Sequence, residues 1–272
     1  MALKNILVTG DTHGGVAERM HYIQNNMPDY IPAETAVIIL GDVGLNYYLN
    51  KKDQKHKQEA SSYGYTIYCV RGNHEARPGK QLGMKLIHDD FVNGPVWIEE
   101  ELPLIRYFCE WGIYEIQRRK TLILGGAYSV DKFYRLQNKW TWFADEQLNE
   151  WEMAACLKNI QYESFDLVLS HTCPISYQPT DLFLSVIDQS TVDNAMEVWM
   201  EKIASSVQWK LWLWGHYHQD RIEAPHCEMF YWEVENLLDI EKRWQHYDET
   251  GELDWWLPVS PSMKRLLDEK NK

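Results

Sequence analysis

One pattern recurs through the first 220 residues and limits the fold more than any other. A short run of aliphatic or β-branched residues is followed at once by glycine and by aspartate, asparagine or histidine. The instances are residues 5–9 before GDTHGG, 36–40 before GDVGLN and 66–70 before RGNHE, then 121–124 before GGAYS, 166–169 before SHTCP and 210–214 before GHYHQD. Nearly continuous apolar runs of this length predict strands buried on both faces. Between them the residue spacing predicts helices over 16–26, 51–63, 145–159 and 191–205. The last of these carries Val192, Ala195, Met196, Trp199 and Ile203 at helical intervals. A hairpin is expected around RRK, between 113–118 and 121–124. Alternating strands and helices define a layered α/β domain whose function belongs outside the carboxyl ends of its strands. One domain is expected over 1–244, with a C-terminal extension over 245–272 whose DWW must pack on it.

Composition narrows the class. The 272 residues carry a net charge of −13, from 40 acidic against 27 basic side chains, which argues against a broad nucleic-acid-binding face. Small phosphorylated substrates remain compatible, because bound metal ions invert the local field. No apolar run approaches the roughly 20 residues of a membrane helix. The start, MALKNILVTG, has no secretory h-region. The five cysteines are odd in number and form no CxxC pair, so free thiols in a reducing, cytoplasmic setting are expected.

The polar residues at the strand ends are Asp11, His13, Asp42, Asn73, His74, His171, His216 and His218. Taken singly, most have an ordinary reading. Gly-Asp is common turn chemistry, and a loop histidine beside Cys173 does not make a nucleophile without an oriented Cys/His arrangement. His216 and His218, two apart, point the same way on an extended backbone, which suits one metal or two adjacent ones. Jointly, the set is hard to explain by packing alone.

The order D-x-H, GD, GNHE, H, G-H-x-H resembles the calcineurin-like metallophosphoesterase superfamily, over about residues 5–220. The resemblance implies a four-layered α/β/β/α sandwich and two divalent metal ions. It assigns Asp11, His13 and His218 to one ion, Asn73, His171 and His216 to the other, and Asp42 to both. His74 matches the substrate-facing histidine, and Arg71 matches a phosphate-contacting arginine of the protein-phosphatase branch. Imidazole, carboxylate and amide donors suit manganese, and also iron, zinc or nickel, better than magnesium or calcium. The implied reaction is metal-dependent phosphoester hydrolysis through a metal-bound hydroxide. A non-catalytic scaffold with the same fold is the alternative.

The substrate is less defined. GDVGLNYYLN lacks the second arginine of the protein-phosphatase branch, whereas GNHE leans towards it. Ser129, Asp131 and Arg135 either enter the mouth of the site or simply start a helix. The basic run at 51–57 either touches a polyanion or forms a solvated helix face. Trp140, Trp142 and Phe143 are expected in the core, with base stacking as the alternative. A small phosphorylated molecule or a phosphopeptide is the expected partner.

Overall fold

The structure, a computed structural model, describes residues 2–81, 83–253 and 258–270. Its first sheet contains β1 (Asn5–Thr9), β2 (Thr35–Ile39), β3 (Thr66–Cys69), β4 (Met84–Asp89), β5 (Gly94–Glu99) and β6 (Ile105–Phe108). The second contains β7 (Trp111–Ile116), β8 (Arg119–Leu124), β10 (Leu167–Ser170), β12 (Trp212–Trp214), β13 (Arg221–Ala224) and β14 (Cys227–Met229). A small ribbon pairs β9 (Ser164–Phe165) with β11 (Gln208–Trp209), and β15 (Val234–Asn236) returns to edge the first sheet. Strand order is β15-β1-β2-β3-β6-β5-β4 in one sheet and β13-β14-β12-β10-β8-β7 in the other. The strands β1, β2, β3 and β6 run parallel, as do β8, β10, β12 and β14.

The continuous apolar runs are explained by period-two side-chain alternation. Ile6 and Val8 face the interior shared with the second sheet, whereas Leu7 faces outward under helices. On the second sheet Ile123, Leu169 and Leu213 face the shared interior, and Leu122, Leu124, Val168, Trp212 and Trp214 face its own helices. Both faces of both sheets are therefore covered, giving four layers, α/β/β/α.

The outer helical layers follow from spacing. Helix α1 (Val16–Asn26) buries Val16, Met20 and Ile23 against the first sheet, beside α2 (Lys51–Ser61). Beyond the short α3 (Lys132–Gln137), α4 (Glu150–Ile160) and α5 (Ala195–Ser206) cover the second sheet. Helix α4 starts five residues later than the acidic run suggests. Asn149 forms a capping box with Glu152, which fixes the start there. Helix α6 (Leu237–Thr250) inserts Leu237, Ile240, Trp244 and Tyr247 into the inter-sheet core, and α7 (Pro261–Lys270) adds Met263 and Leu267. The expected boundary after 244 thus falls inside α6. The DWW segment lies outside the described residues.

The β7–β8 hairpin turns on Gln117 and Arg118, with φ of 48° and 68°, one residue earlier than the RRK reading. Two successive left-handed residues are the geometry that matches strand twist in a two-residue hairpin. All five cysteines are free thiols. Among the described residues no helix is long and apolar enough to cross a membrane.

Candidate metal centre

The eight strand-end residues meet at one edge of the sandwich, where the parallel strands of both sheets end. Asp11 and His13 follow β1, Asp42 follows β2, Asn73 and His74 follow β3, His171 follows β10, and His216 and His218 follow β12. The backbone there departs from extended geometry. His13, Asp42, His216 and His218 have φ of 46°, 44°, 71° and 53°. Left-handed backbone is unfavourable for such residues and persists only where surrounding structure over-determines it. The period-two argument for the two histidines after β12 consequently fails, because neither is extended. They diverge: the His216 ring lies 4.9 Å from that of His171, and the His218 ring 4.8 Å from that of His13.

Two glycines show how closely the loops approach. A Cβ on Gly41, which has φ of 96°, would sit 2.0 Å from His171 Nδ1. A Cβ on Gly215 would sit 2.3 Å from Asp11 Oδ1. Only glycine allows this contact between loops.

The donor atoms converge. Asp11, His13 and His218 offer atoms that all lie within 4.8 Å of one another, and Asp11, Asp42 and His171 form a second such group. His13 Nε2 and His218 Nε2 are 2.8 Å apart, and His218 Nε2 is 3.2 Å from Asp11 Oδ2. Asp42 faces both sides, with Oδ1 3.5 Å from His171 Nε2 and Oδ2 3.9 Å from His13 Nδ1. Asn73 Oδ1 lies 2.9 Å from His171 Nε2. The His74 amide donates to Asp42 Oδ1 at 2.8 Å, and the His216 amide to Asp11 Oδ1 at 2.9 Å.

These residues fit divalent cations. Asp11 Oδ2 is buried and accepts no hydrogen bond, an uncommon and costly condition for a carboxylate unless a cation completes it. Burial would raise the Asp11 carboxyl, but His218, whose Nε2 stands 3.2 Å from Oδ2, and the charge of His171 hold it below its usual range. Burial likewise opposes Asp42, yet the charges of His74, His171 and His13 keep it well below the ordinary carboxylate value. Burial and the neighbouring His171 lower His216 to about 3, leaving it a neutral imidazole. Ionised carboxylates and the neutral His216 suit metal ligation, whereas neighbouring Asp11 raises His218, whose proton a bound cation would displace.

The supporting contacts are as specific as the donors. Asn73 Nδ2 donates to Ser129 Oγ at 2.9 Å, and Ser129 Oγ donates to Glu146 Oε2 at 2.5 Å. Glu146 also accepts from the Ser129 amide at 3.1 Å and from Trp142 Nε1 at 2.8 Å. This relay fixes the Asn73 amide with its oxygen towards His171. His171 Nδ1 is 2.9 Å from the Leu40 carbonyl, which orients the ring. Glu75, the last residue of RGNHE, accepts from the Gly72 and Val43 amides at 2.9 and 3.2 Å and so ties the third loop to the second. Glu146 and Glu75 carry no sequence signal for these tasks. Glu146 resembles any acidic residue near a helix start.

His74 lines a cavity of about 380 Å³ that opens over Asp42, Asn73, His216 and His218. Its Nε2 is 3.8 Å from Asp42 Oδ2 and 3.3 Å from Arg135 Nη2. Burial lowers its affinity for a proton, as does Arg135, while Asp42 opposes the shift. Arg135 is held by both Asp131 oxygens, at 2.7 and 2.8 Å, and by Tyr47 Oη at 3.0 Å. Asp131 immediately precedes α3, its carboxylate given to Arg135 and not to the helix amides, and it also lines the cavity, so helix start and site mouth coincide. Arg71 takes a different direction. Its Nε pairs with Glu110, its Nη1 donates to the Gly72 carbonyl at 3.0 Å, and it does not line the cavity.

Other expectations resolve locally. The 51–57 run forms the first two turns of α2, most of it solvated, with Lys57 buried against Glu99 and Asp53 accepting from the Tyr48 and Leu49 amides. Trp140, Trp142 and Phe143 are not in the core. Trp140 is half exposed and meets Tyr134 edge-on, because the segment around α3 is a surface flap. Cys173 is buried, and burial pushes its thiol well up, which makes it a poor nucleophile.

A four-layered α/β/β/α sandwich with converging carboxylate, imidazole and amide donors at its strand ends defines the class of metal-dependent phosphoesterases. The chain matches the family model for calcineurin-like phosphoesterases over residues 4–220, and it belongs to that family. No curated protein matches the chain. Among solved structures it is similar to a phosphopantetheinyl hydrolase from Mycobacterium tuberculosis, at 11% identity and a TM-score of 0.42, covering 91% of this chain and 93% of the other.

Proposed function

We propose that this protein hydrolyses phosphoesters with two divalent metal ions, manganese foremost, held by Asp11, His13, Asp42, Asn73, His171, His216 and His218. The observation that carries the reading is the convergence of carboxylate, imidazole and amide donors from five loops, with Asp11 Oδ2 unsatisfied and Asp42, Asn73, His216 and His218 lining a cavity. Ions bound there supply Lewis-acid stabilisation of the phosphoryl charge and an acidified water at neutral pH. The chain's own residues do the rest. Asp11, His13 and His218 would hold one ion and Asn73, His171 and His216 the other, with Asp42 able to serve either. The relay from Glu146 through Ser129 keeps the Asn73 oxygen inward. His74, on the cavity side and steadied by Arg135, hydrogen-bonds the phosphoryl or departing oxygen. In the overall reaction a P–O bond forms to water, the ester P–O bond breaks, and the alcohol leaves with a proton.

Purified protein, freed of metal and then titrated with Mn²⁺, tests this against bis-p-nitrophenyl phosphate and p-nitrophenyl phosphate. Metal-dependent release saturating near two ions per chain is expected. Bound metal without release from either ester would favour a scaffold. His74→Ala is expected to retain both ions and lose turnover of poor leaving groups.

A further inference from the structure

The cavity has two unlike ends. Its floor carries Asp42, Asn73, His216 and His218, and its outer wall is mainly apolar, with Val130, Leu182, Phe183, Leu184, Ile187 and Val192 beside Gln178 and Gln189. Most of that wall comes from the long connection between β10 and α5, which contains only single 3₁₀ turns at Ile175–Tyr177, Thr180–Leu182 and Gln189–Thr191. Its apolar side chains are not spent on the core. Leu184 is 61% exposed and Val130 41%, and neither belongs to a core cluster. Phe183 stacks at 19° on Tyr217, which makes a flat aromatic patch beside His216. Apolar surface left open on a long loop marks a contact site for something else.

Charge restricts what that is. Among the described residues no lysine or arginine lines the cavity, while Asp131 and Glu197 do. The nearest guanidinium, Arg135, is already bonded to Asp131, Tyr47 and His74. A second phosphate, or an acidic peptide flank, would meet carboxyl groups and no cation. The volume, about 380 Å³, lies at the small end of ligand pockets, which run from about 300 to 1,000 Å³.

We infer that the substrate is a small phosphoester with an uncharged, apolar alkyl or aryl arm, and that this arm lies against Val130 and the 182–192 wall. The inference rests on the phosphoesterase reading above. It sets this site apart from one that accepts polyphosphates or phosphopeptides, and it gives the 182–192 loop the task of selecting substrate.

The test measures binding of methyl-, hexyl-, phenyl- and 5-carboxypentylphosphonate to the Mn²⁺-loaded full chain by calorimetry. Each buried methylene is worth about 0.8 kcal/mol, or roughly fourfold. Hexyl- and phenylphosphonate are expected to bind at least about tenfold tighter than methylphosphonate, and the carboxylate-ended chain to lose that gain. The double change Phe183→Ser and Leu184→Ser is expected to remove most of the hexyl preference. A flat series, tighter binding of the carboxylate, or a preference untouched by the double change would overturn the inference. Hydrolysis of bis-p-nitrophenyl phosphate is read separately. Turnover with a flat series defeats the apolar arm alone, whereas graded binding without turnover defeats the hydrolase reading alone.

Discussion

The protein buries two acidic clusters, and they are completed in opposite ways. At the end of the sandwich occupied by α6, Glu228 of β14 and Glu235 of β15 share one cation, Arg243. Its Nη2 is 2.6 Å from Glu228 Oε2, and its Nη1 is 2.9 Å from Glu235 Oε2. Trp244 Nε1 donates to the remaining Glu228 oxygen at 2.6 Å. This cluster joins β15, at the edge of the first sheet, to β14, second from the edge of the other, through α6, and is satisfied by protein atoms alone. At the strand ends, Asp11 and Asp42 are equally buried, yet among the described residues their ion-pair partners are histidines alone, and Asp11 Oδ2 has no hydrogen bond. A buried charge needs a partner. The first cluster contains its own partner, and the second is built to receive one.

The sharpest way to break this comparison is Arg243→Ala. It leaves two buried carboxyls uncompensated and should cost about 3–5 kcal/mol of stability in denaturant unfolding, with metal content per folded chain unchanged. A loss under about 1 kcal/mol would mean that the cluster is not the clamp described here.

Next comes the metal itself. Mn²⁺ at 100 times its Kd should stabilise the wild type by about 2.7 kcal/mol, reversibly by chelator, and Asp42→Ala should abolish the effect. Equal stabilisation of that variant would remove Asp42 from the site. His216→Ala and His218→Ala should each reduce bound metal from two ions towards one, as counted by elemental analysis. Equal loss of both ions in either variant would count against the separate assignments.

A smaller effect sharpens the same contrast. Ser129→Ala, which frees the Asn73 amide, should weaken metal binding about 10- to 100-fold in calorimetry. Unchanged affinity would leave Ser129 a purely structural contact. Glu75→Gln keeps an acceptor for the Gly72 and Val43 amides and should cost at most about 1 kcal/mol, whereas Glu75→Ala strands both and should cost about 2 kcal/mol. If the two variants unfolded alike, the tie between the loops would not depend on that acceptor.

Legibility in the sequence was uneven, and for identifiable reasons. The strands at 5–9 and 66–70 were readable because packing on both faces demands apolar residues at every position. The donor loops were readable because chemistry restricts them to aspartate, histidine and asparagine immediately after those strands. The sequence marks Ser129 only as a residue near the mouth, and Glu146 only as part of a helix start. Their meeting depends on bringing the loop after β8 against the loop after β3, 56 residues earlier in the chain at Asn73. Arg71 and Arg135 illustrate the same limit. Both are arginines close to a motif, but Glu110 holds the former away from the cavity while Asp131 and Tyr47 bring the latter to His74.

By itself the sequence determined the layered α/β class and the identities of the candidate donors, because strand burial and ligand chemistry are local demands that leave local patterns. Tertiary structure decided where the two last imidazoles turn. Left-handed backbone at His216 and His218 sends one imidazole to His171 and the other to His13, although spacing alone would have aimed both the same way. It also decided which charges are already paired and which are left open, since pairing depends on distances between loops far apart in the chain.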